Sequence, residues 1–233
     1  MKILGHRGAA GTFPENTLLS FAKALELGVD GLEFDVQLSR DGEVVICHDE
    51  RVDRTSDGVG WVKDFTLKEL KMLNFGVSFG VAAPLPTLAE LLEMTAGKSL
   101  ILNVEIKTGL IAYPGIVRKV VDLLEKRQVT QDSIISSFEH KTIIEVIRDH
   151  PHVPTGLLYD CGMISPWLYA QNLGANYLHP YYAFASPEMV QESHLRGINV
   201  HTWTVDETWE MERVMNSGVD MVITNYPERF VLR

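Results

Sequence analysis

Short apolar runs alternate with helix-periodic segments along almost the whole chain, and this alternation leaves few architectures open. The apolar runs fall at 2–5, 30–37, 100–106, 133–137, 153–158, 175–178, 198–204 and 219–224. Between them lie helical patterns. The first covers 16–27, with Leu18, Leu19, Ala22 and Leu25 at helical spacing and Gly28 as its stop. Others follow at 88–95, 115–127, 139–149, 164–173, 187–196 and 207–217. Thr87, three residues ahead of Glu90, reads as a capping box for the helix at 88–95. Eight strands alternating with helices predict an α/β fold, a (β/α)8 TIM barrel. A doubly wound open sheet is the runner-up, because periodicity alone does not reveal closure.

The 233 residues suffice for a single barrel domain over 1–233. The interval between the second and third runs is nearly twice the usual spacing. It contains a further short strand at 44–47, after an Asp41-Gly42 turn signal, and then a Gly- and aromatic-rich segment at about 49–85. We read that segment as an insertion over one end of the barrel, carrying one short helix near 67–73.

The run at 30–37 is unusual because Glu33 and Asp35 interrupt Leu32, Phe34 and Val36. Strand side chains alternate between faces, so if the apolar set meets the helices the two carboxylates point into the barrel. The next barrel strand repeats the arrangement: Leu102, Val104 and Ile106 share one face, and Asn103, Glu105 and Lys107 the other. Both acidic sets lie toward the C-terminal ends of their strands, the catalytic face of this fold. Carboxylates about 5 Å apart repel by roughly 3 kcal/mol per pair at an effective dielectric near 20. Lys107 offsets part of this. A hard divalent cation with oxygen ligands, Ca²⁺, Mg²⁺ or Mn²⁺ rather than zinc, would offset the rest. The competing reading is a structural ion-pair network.

His6 and Arg7 end the first strand, and the planar fork of Arg7 suits a phosphate. Glu15 and Asn16 read as helix-start residues, although Glu15 could orient Arg7. His48, just after the short strand, makes an acid/base pair with His6 possible, and Asp49 could fix its tautomer. Trp203 could wall a substrate pocket or pack in the barrel core. His201 shares a strand face with Trp203, His179 and Asn225 remain possible pocket residues at strand ends, and Asp206-Glu207 reads as a helix start. Net charge of −10 argues against a nucleic-acid partner. Cys47 and Cys161 read as free buried thiols of a reducing compartment. No signal peptide or membrane-spanning run is legible, so a cytoplasmic protein without a stable membrane anchor is expected, monomeric or homodimeric.

The segments "HRGAAGTFPENTLLSFAKALELGVDGLEFDVQLSRDGEVVICHDE", "PLPTLAELLE", "NVEIK", "HTWTVD" and "DMVITNYP" run in one order over nearly the whole chain. In this it resembles the glycerophosphodiester phosphodiesterase family, of the bacterial cytoplasmic type. The resemblance implies one divalent metal ion on Glu33, Asp35 and Glu105, with His6 and His48 as the acid/base pair. It also implies Arg7 and Lys107 on the phosphate and Trp203 lining the pocket for the alcohol. The implied reaction cleaves a small-molecule glycerophosphodiester, such as glycerophosphocholine or glycerophosphoethanolamine, to sn-glycerol 3-phosphate and an alcohol. Many members have Thr-Asp-x-Pro where this chain has Thr224-Asn225-Tyr226-Pro227, which leaves residue 225 without an assigned role. Two alternatives remain on the same scaffold. One is a phospholipase D-like activity on lysophospholipids, using Trp61, Phe65, Phe75 and Phe79 of the insertion. The other is a barrel that binds a phosphodiester without cleaving it.

Overall fold

A computed structural model describes residues 1–231. The strands are β1 (Lys2–His6), β2 (Gly31–Leu38), β3 (Val44–Ile46), β4 (Ile101–Ile106), β5 (Ser133–Ser137), β6 (Thr155–Tyr159), β7 (Tyr177–Pro180), β8 (Asn199–Thr202) and β9 (Met221–Thr224). Eight of them pair in parallel in the order β1-β9-β8-β7-β6-β5-β4-β2, and β1 also pairs with β2. The ring is therefore closed, and the open-sheet alternative is excluded. β3 lies antiparallel on the end of β2, with Val36 opposite Ile46.

The helices are α1 (Leu18–Leu27), α2 (Leu67–Leu70), α3 (Leu88–Met94), α4 (Ile116–Lys126), α5 (His140–Asp149), α6 (Pro166–Leu173), α7 (Pro187–His194) and α8 (Thr208–Ser217). α1 begins later than its periodicity suggests. Thr17 caps it, accepting from the Ser20 amide, so Glu15 and Asn16 lie ahead of the helix and are free for other partners. The Thr87–Glu90 capping box forms as expected. α2 is only one turn long and stops at Leu70, because the chain turns at Lys71 into the loop that buries Leu73 and Phe75.

Phase along β2 is set by packing. Leu32, Phe34 and Val36 join the cluster between sheet and helices, where Phe34 meets Phe21 of α1 edge-on at 5.9 Å. Glu33 and Asp35 are thereby turned into the barrel. Inside the ring, Leu4, Met221 and Ile223 form a small apolar plug. His179 and His201 fill the neighbouring volume, with His201 Nδ1 and His179 Nε2 3.1 Å apart. Gly156 makes room for them: a Cβ there would lie 2.6 Å from His179 Nε2. Neither histidine lines the cavity at the C-terminal mouth, so His179 is a core residue rather than a pocket one.

The segment after β3 has its own core of Val52, Val62, Leu70, Phe75 and Leu85, with Phe65 packed against it. Two of the aromatics considered for an apolar groove are thus consumed by the loop, and Phe79 is the exposed one. Cys47 is buried as expected, but Cys161 is exposed on the loop after β6. Among the described residues, no helix is long and apolar enough to cross a membrane.

Candidate active site

The site sits where β1, β2 and β4 end. Glu33, Asp35 and Glu105 each present a carboxylate oxygen, all within 4.8 Å of one another. The register explains the convergence, since Asp35 is directly opposite Glu105 across β2 and β4. Two cations oppose them. Lys107 Nζ is 2.8 Å from Glu105 Oε1 and 3.7 Å from Asp35 Oδ1. Arg7 Nε is 3.4 Å from Asp35 Oδ2, a charge contact rather than an aligned hydrogen bond. Asn16 donates to Asp35 Oδ2 at 2.9 Å.

Burial resists the charge on Asp35, but Arg7 and Lys107 outweigh it and hold this carboxyl well below its usual range. Burial together with the Asp35 charge pushes Glu105 up to about 7, against the pull of Lys107. Burial and the charges of Asp35 and Glu105 push Glu33 well above the ordinary carboxyl value. The protein's own cations therefore satisfy one carboxylate and leave two under-compensated. Asp35 Oδ1 is buried with no hydrogen-bond partner. A divalent ion fits this donor set: the oxygens are hard and deprotonatable, one is orphaned, and their spread suits oxygen coordination at about 2.0–2.6 Å. The triad can hold a divalent cation.

Arg7 is placed by an uncommon backbone, with φ of +51° in the left-handed region. Gly8 follows at +91°, and any Cβ there would lie 2.4 Å from Ser20 Oγ. The turn brings the Arg7 amide onto Glu33 Oε2 at 3.2 Å and its guanidinium onto Glu15 Oε1 at 2.8 Å. Backbone strain of this kind is typical of functional loops.

Beside the carboxylates lies a cavity of about 80 Å³ walled by His6, Arg7, Glu33, His48, Asn103, Glu105, Phe138 and Trp203, among others. Trp203 belongs to the wall; its Nε1 donates to His179 O at 2.9 Å, and Phe138 packs edge-on against it at 5.4 Å. Lys107 stands behind Glu105 and is not part of the wall. His48 Nδ1 is 2.6 Å from Asp49 Oδ1, which leaves Nε2 as the nitrogen available to the cavity.

His6 has a partner the sequence did not disclose. Its Nδ1 is 2.7 Å from Asn225 Oδ1, and Asn225 Nδ2 donates to Asp206 Oδ2 at 2.8 Å. A carboxylate only accepts, so the Asn225 amide must turn its nitrogen to Asp206 and its oxygen to His6. His6 then carries its proton on Nδ1 and offers an unprotonated Nε2. Burial and the Arg7 charge lower its pKa to about 3, so the ring is neutral. Asp206 also accepts from the Asn225 backbone amide at 2.8 Å and from Thr224 Oγ1 at 3.1 Å, so besides preceding the Glu207 cap of α8, as expected, it braces the last strand's exit. Phe138 and Arg54, also unassigned from the sequence, join the wall and the surrounding ion pairs respectively.

The profile of the glycerophosphoryl diester phosphodiesterase family matches residues 6–229. The chain belongs to that family. As a member it is a phosphoric diester hydrolase, and the binding-only alternative falls away. A glycerophosphodiester phosphodiesterase of Caldanaerobacter subterraneus subsp. tengcongensis is 43% identical over 232 residues, spanning 98% of this chain and 96% of that protein. Among solved structures, a phosphodiesterase from Oleispira antarctica in complex with the product sn-glycerol-3-phosphate superposes with a TM-score of 0.88 at 28% identity, over 98% of this chain and 94% of that one. The glycerophosphodiester phosphodiesterase of Thermotoga maritima does so with a TM-score of 0.83 at 30% identity, over 99% and 97%.

Proposed function

We propose that this phosphodiesterase converts glycerophosphodiesters, such as glycerophosphocholine and glycerophosphoethanolamine, to sn-glycerol 3-phosphate and the free alcohol, with a divalent cation held by Glu33, Asp35 and Glu105. One observation carries the reading. A buried carboxylate triad, under-compensated by its own cations, adjoins a small cavity with a histidine on either side. The product seen in the Oleispira antarctica relative supports the same reaction class.

The cation, Ca²⁺, Mg²⁺ or Mn²⁺, would supply Lewis-acid polarisation of the phosphoryl group. The chain's residues do the rest. Arg7 reaches the cavity and stabilises charge as it develops on the phosphoryl oxygens, with Lys107 balancing the carboxylates behind it. His6, neutral and unprotonated at Nε2, takes the proton of the attacking hydroxyl. His48, held by Asp49, gives a proton to the departing alkoxide. Trp203 and Phe138 form the apolar wall against which the alcohol or glycerol carbons lie. In balance, the bond from phosphorus to the leaving oxygen breaks and a bond to the attacking oxygen forms, while the attacking oxygen gives one proton to His6 and the leaving oxygen takes one from His48.

The test is release of glycerol 3-phosphate from glycerophosphocholine before and after chelation, with Mg²⁺, Ca²⁺ and Mn²⁺ restored one at a time. Loss on chelation and recovery with one ion is expected. Activity that survives complete stripping would return the triad to a structural ion-pair network.

A further inference from the structure

One charged group next to the site has no part in the reaction outlined above. Arg54 lies in the segment after β3, six residues past His48 in sequence and half exposed. Its guanidinium grips two carboxylates at once. Nε donates to Asp49 Oδ2 at 2.7 Å and NH2 to Asp49 Oδ1 at 2.9 Å. NH1 donates to Glu15 Oε2 at 2.7 Å and NH2 to Glu15 Oε1 at 2.7 Å. Each carboxylate continues inward to a different wall of the cavity. Asp49 holds His48 Nδ1 at 2.6 Å, and Glu15 holds Arg7 NH1 at 2.8 Å.

We propose that Arg54 is a positioning residue that fixes His48 relative to Arg7 by clamping Asp49 and Glu15 together. The inference rests on the reading of His48 as the proton donor to the leaving group.

Geometry requires some such clamp. Arg7 and Glu15 belong to the loop between β1 and α1, while His48, Asp49 and Arg54 belong to the segment after β3. Around Arg54 the two segments do not close on each other. A crevice of about 140 Å³ remains between them, lined by Pro14, Glu15, Arg54, Phe75 and Phe79 among others. Asp49 is partly exposed, and a carboxylate in water has several rotamers and ready solvation. Engaging both of its oxygens selects one rotamer, and through Nδ1 one orientation of the His48 ring. Bidentate pairs joined in a network can add stability as well as orientation, so the alignment is read from a ratio of rates rather than from folding energy. Arginine is the residue this arrangement needs. Four of its five N–H donors are used in two parallel forks, which three donors on a single ammonium nitrogen cannot reproduce.

The experiment compares Arg54→Met and Arg54→Lys with the unaltered enzyme on two substrates. One is glycerophosphocholine, whose alcohol needs a proton to depart, and the other is a 4-nitrophenyl ester of glycerol phosphate, whose phenolate does not. For Arg54→Met, kcat on the choline ester should fall about 10- to 100-fold, as is usual for removal of a residue that orients a site group. The loss on the aryl ester should be smaller, so the ratio of the two rates shifts. Both variants should remain folded, and Arg54→Lys should recover the ratio only in part. Mn²⁺ affinity should stay unchanged in both variants. In a His48→Ala background, Arg54→Met should leave the ratio where His48→Ala alone puts it. Equal losses on both esters, a further shift of the ratio in that background, or a parallel fall in Mn²⁺ affinity would overturn the proposal. If His48→Ala alone fails to shift the ratio, the assignment of His48 is what fails, and the clamp loses its purpose with it.

Discussion

Charge balance at the triad gives the sharpest test. In the ion-binding state, with all three carboxylates deprotonated and Arg7 and Lys107 charged, the site carries formally three negative and two positive charges, a net −1. His6 adds nothing, because it is neutral. Glu105→Gln brings the net to zero and removes the partner of Lys107, whose other contact is Asp35 at 3.7 Å. A dication about 5 Å from one unit of net charge, at an effective dielectric near 20, loses on the order of 6 kcal/mol of attraction. The amide oxygen that remains can still coordinate, so a rise in Kd of at least about 100-fold is the conservative expectation. Adding Lys107→Met restores the net charge to −1 without restoring the carboxylate. The double variant should therefore bind the ion more tightly than Glu105→Gln alone, while turnover stays low. Mn²⁺ titration by calorimetry or electron paramagnetic resonance at pH 8, above the value of about 7 held by Glu105, reads all of this. A double variant no tighter than the single one would refute the charge argument and leave ligand number as the controlling quantity.

Other expectations follow from the same structure. His48→Ala should keep Mn²⁺ affinity but lose about 10²–10⁴-fold in kcat on glycerophosphocholine, with much of the rate recovered on an aryl ester; equal loss on both would remove His48 as the acid. In the barrel core, burial lowers His179 to about 3 and His201 well below 6.5, His179 adding to the latter. Unfolded histidines take up protons near pH 6.5 that the folded ones refuse, so stability should be unaffected above that pH. Below it, each histidine should remove about 1.4 kcal/mol per pH unit. Urea titrations at pH 7, 6 and 5 would show this, and a His179→Gln variant as steep as the parent would contradict it. Phe34→Ala should cost about 3–5 kcal/mol, since the ring is fully buried against Phe21. A loss under 1 kcal/mol in a chemical unfolding experiment would mean that the sheet–helix layer is not packed as described.

The barrel was legible because its signal is periodic. Every barrel strand and every helix flanking it was placed within a few residues, and the phase of β2 followed from Leu32, Phe34 and Val36 alone. Boundaries shifted where a local turn overrode composition. Val153 is apolar but its amide bonds to His150 O in a turn, so β6 starts at Thr155. The run at 198–204 is continuous strand only to Thr202, and Trp203 keeps a single parallel bridge to Tyr181 beyond it. At the site, the converging acids were legible from strand parity. Arg54, Asn225 and the added bond between Asp206 and Asn225 were not. Their partners lie 39, 219 and 19 residues away, and no local period or cap signal encodes such a pairing. Asn16 was hidden differently: it looked like a helix start, but a φ of +56° turns its side chain onto Asp35 while Thr17 takes the cap.

Closure of the ring through β1 and β9 bears on biosynthesis. His6 is made before the rest of the barrel, whereas the amide oxygen that sets its tautomer belongs to Asn225, just beyond the final barrel strand. A nascent chain can already display the carboxylates of β2 and β4, with their cations, while β1 still lacks one neighbour. It has no correctly protonated His6 until the last strand docks. A chain that lacks β9 therefore lacks both the second neighbour of β1 and the side chain that orients His6.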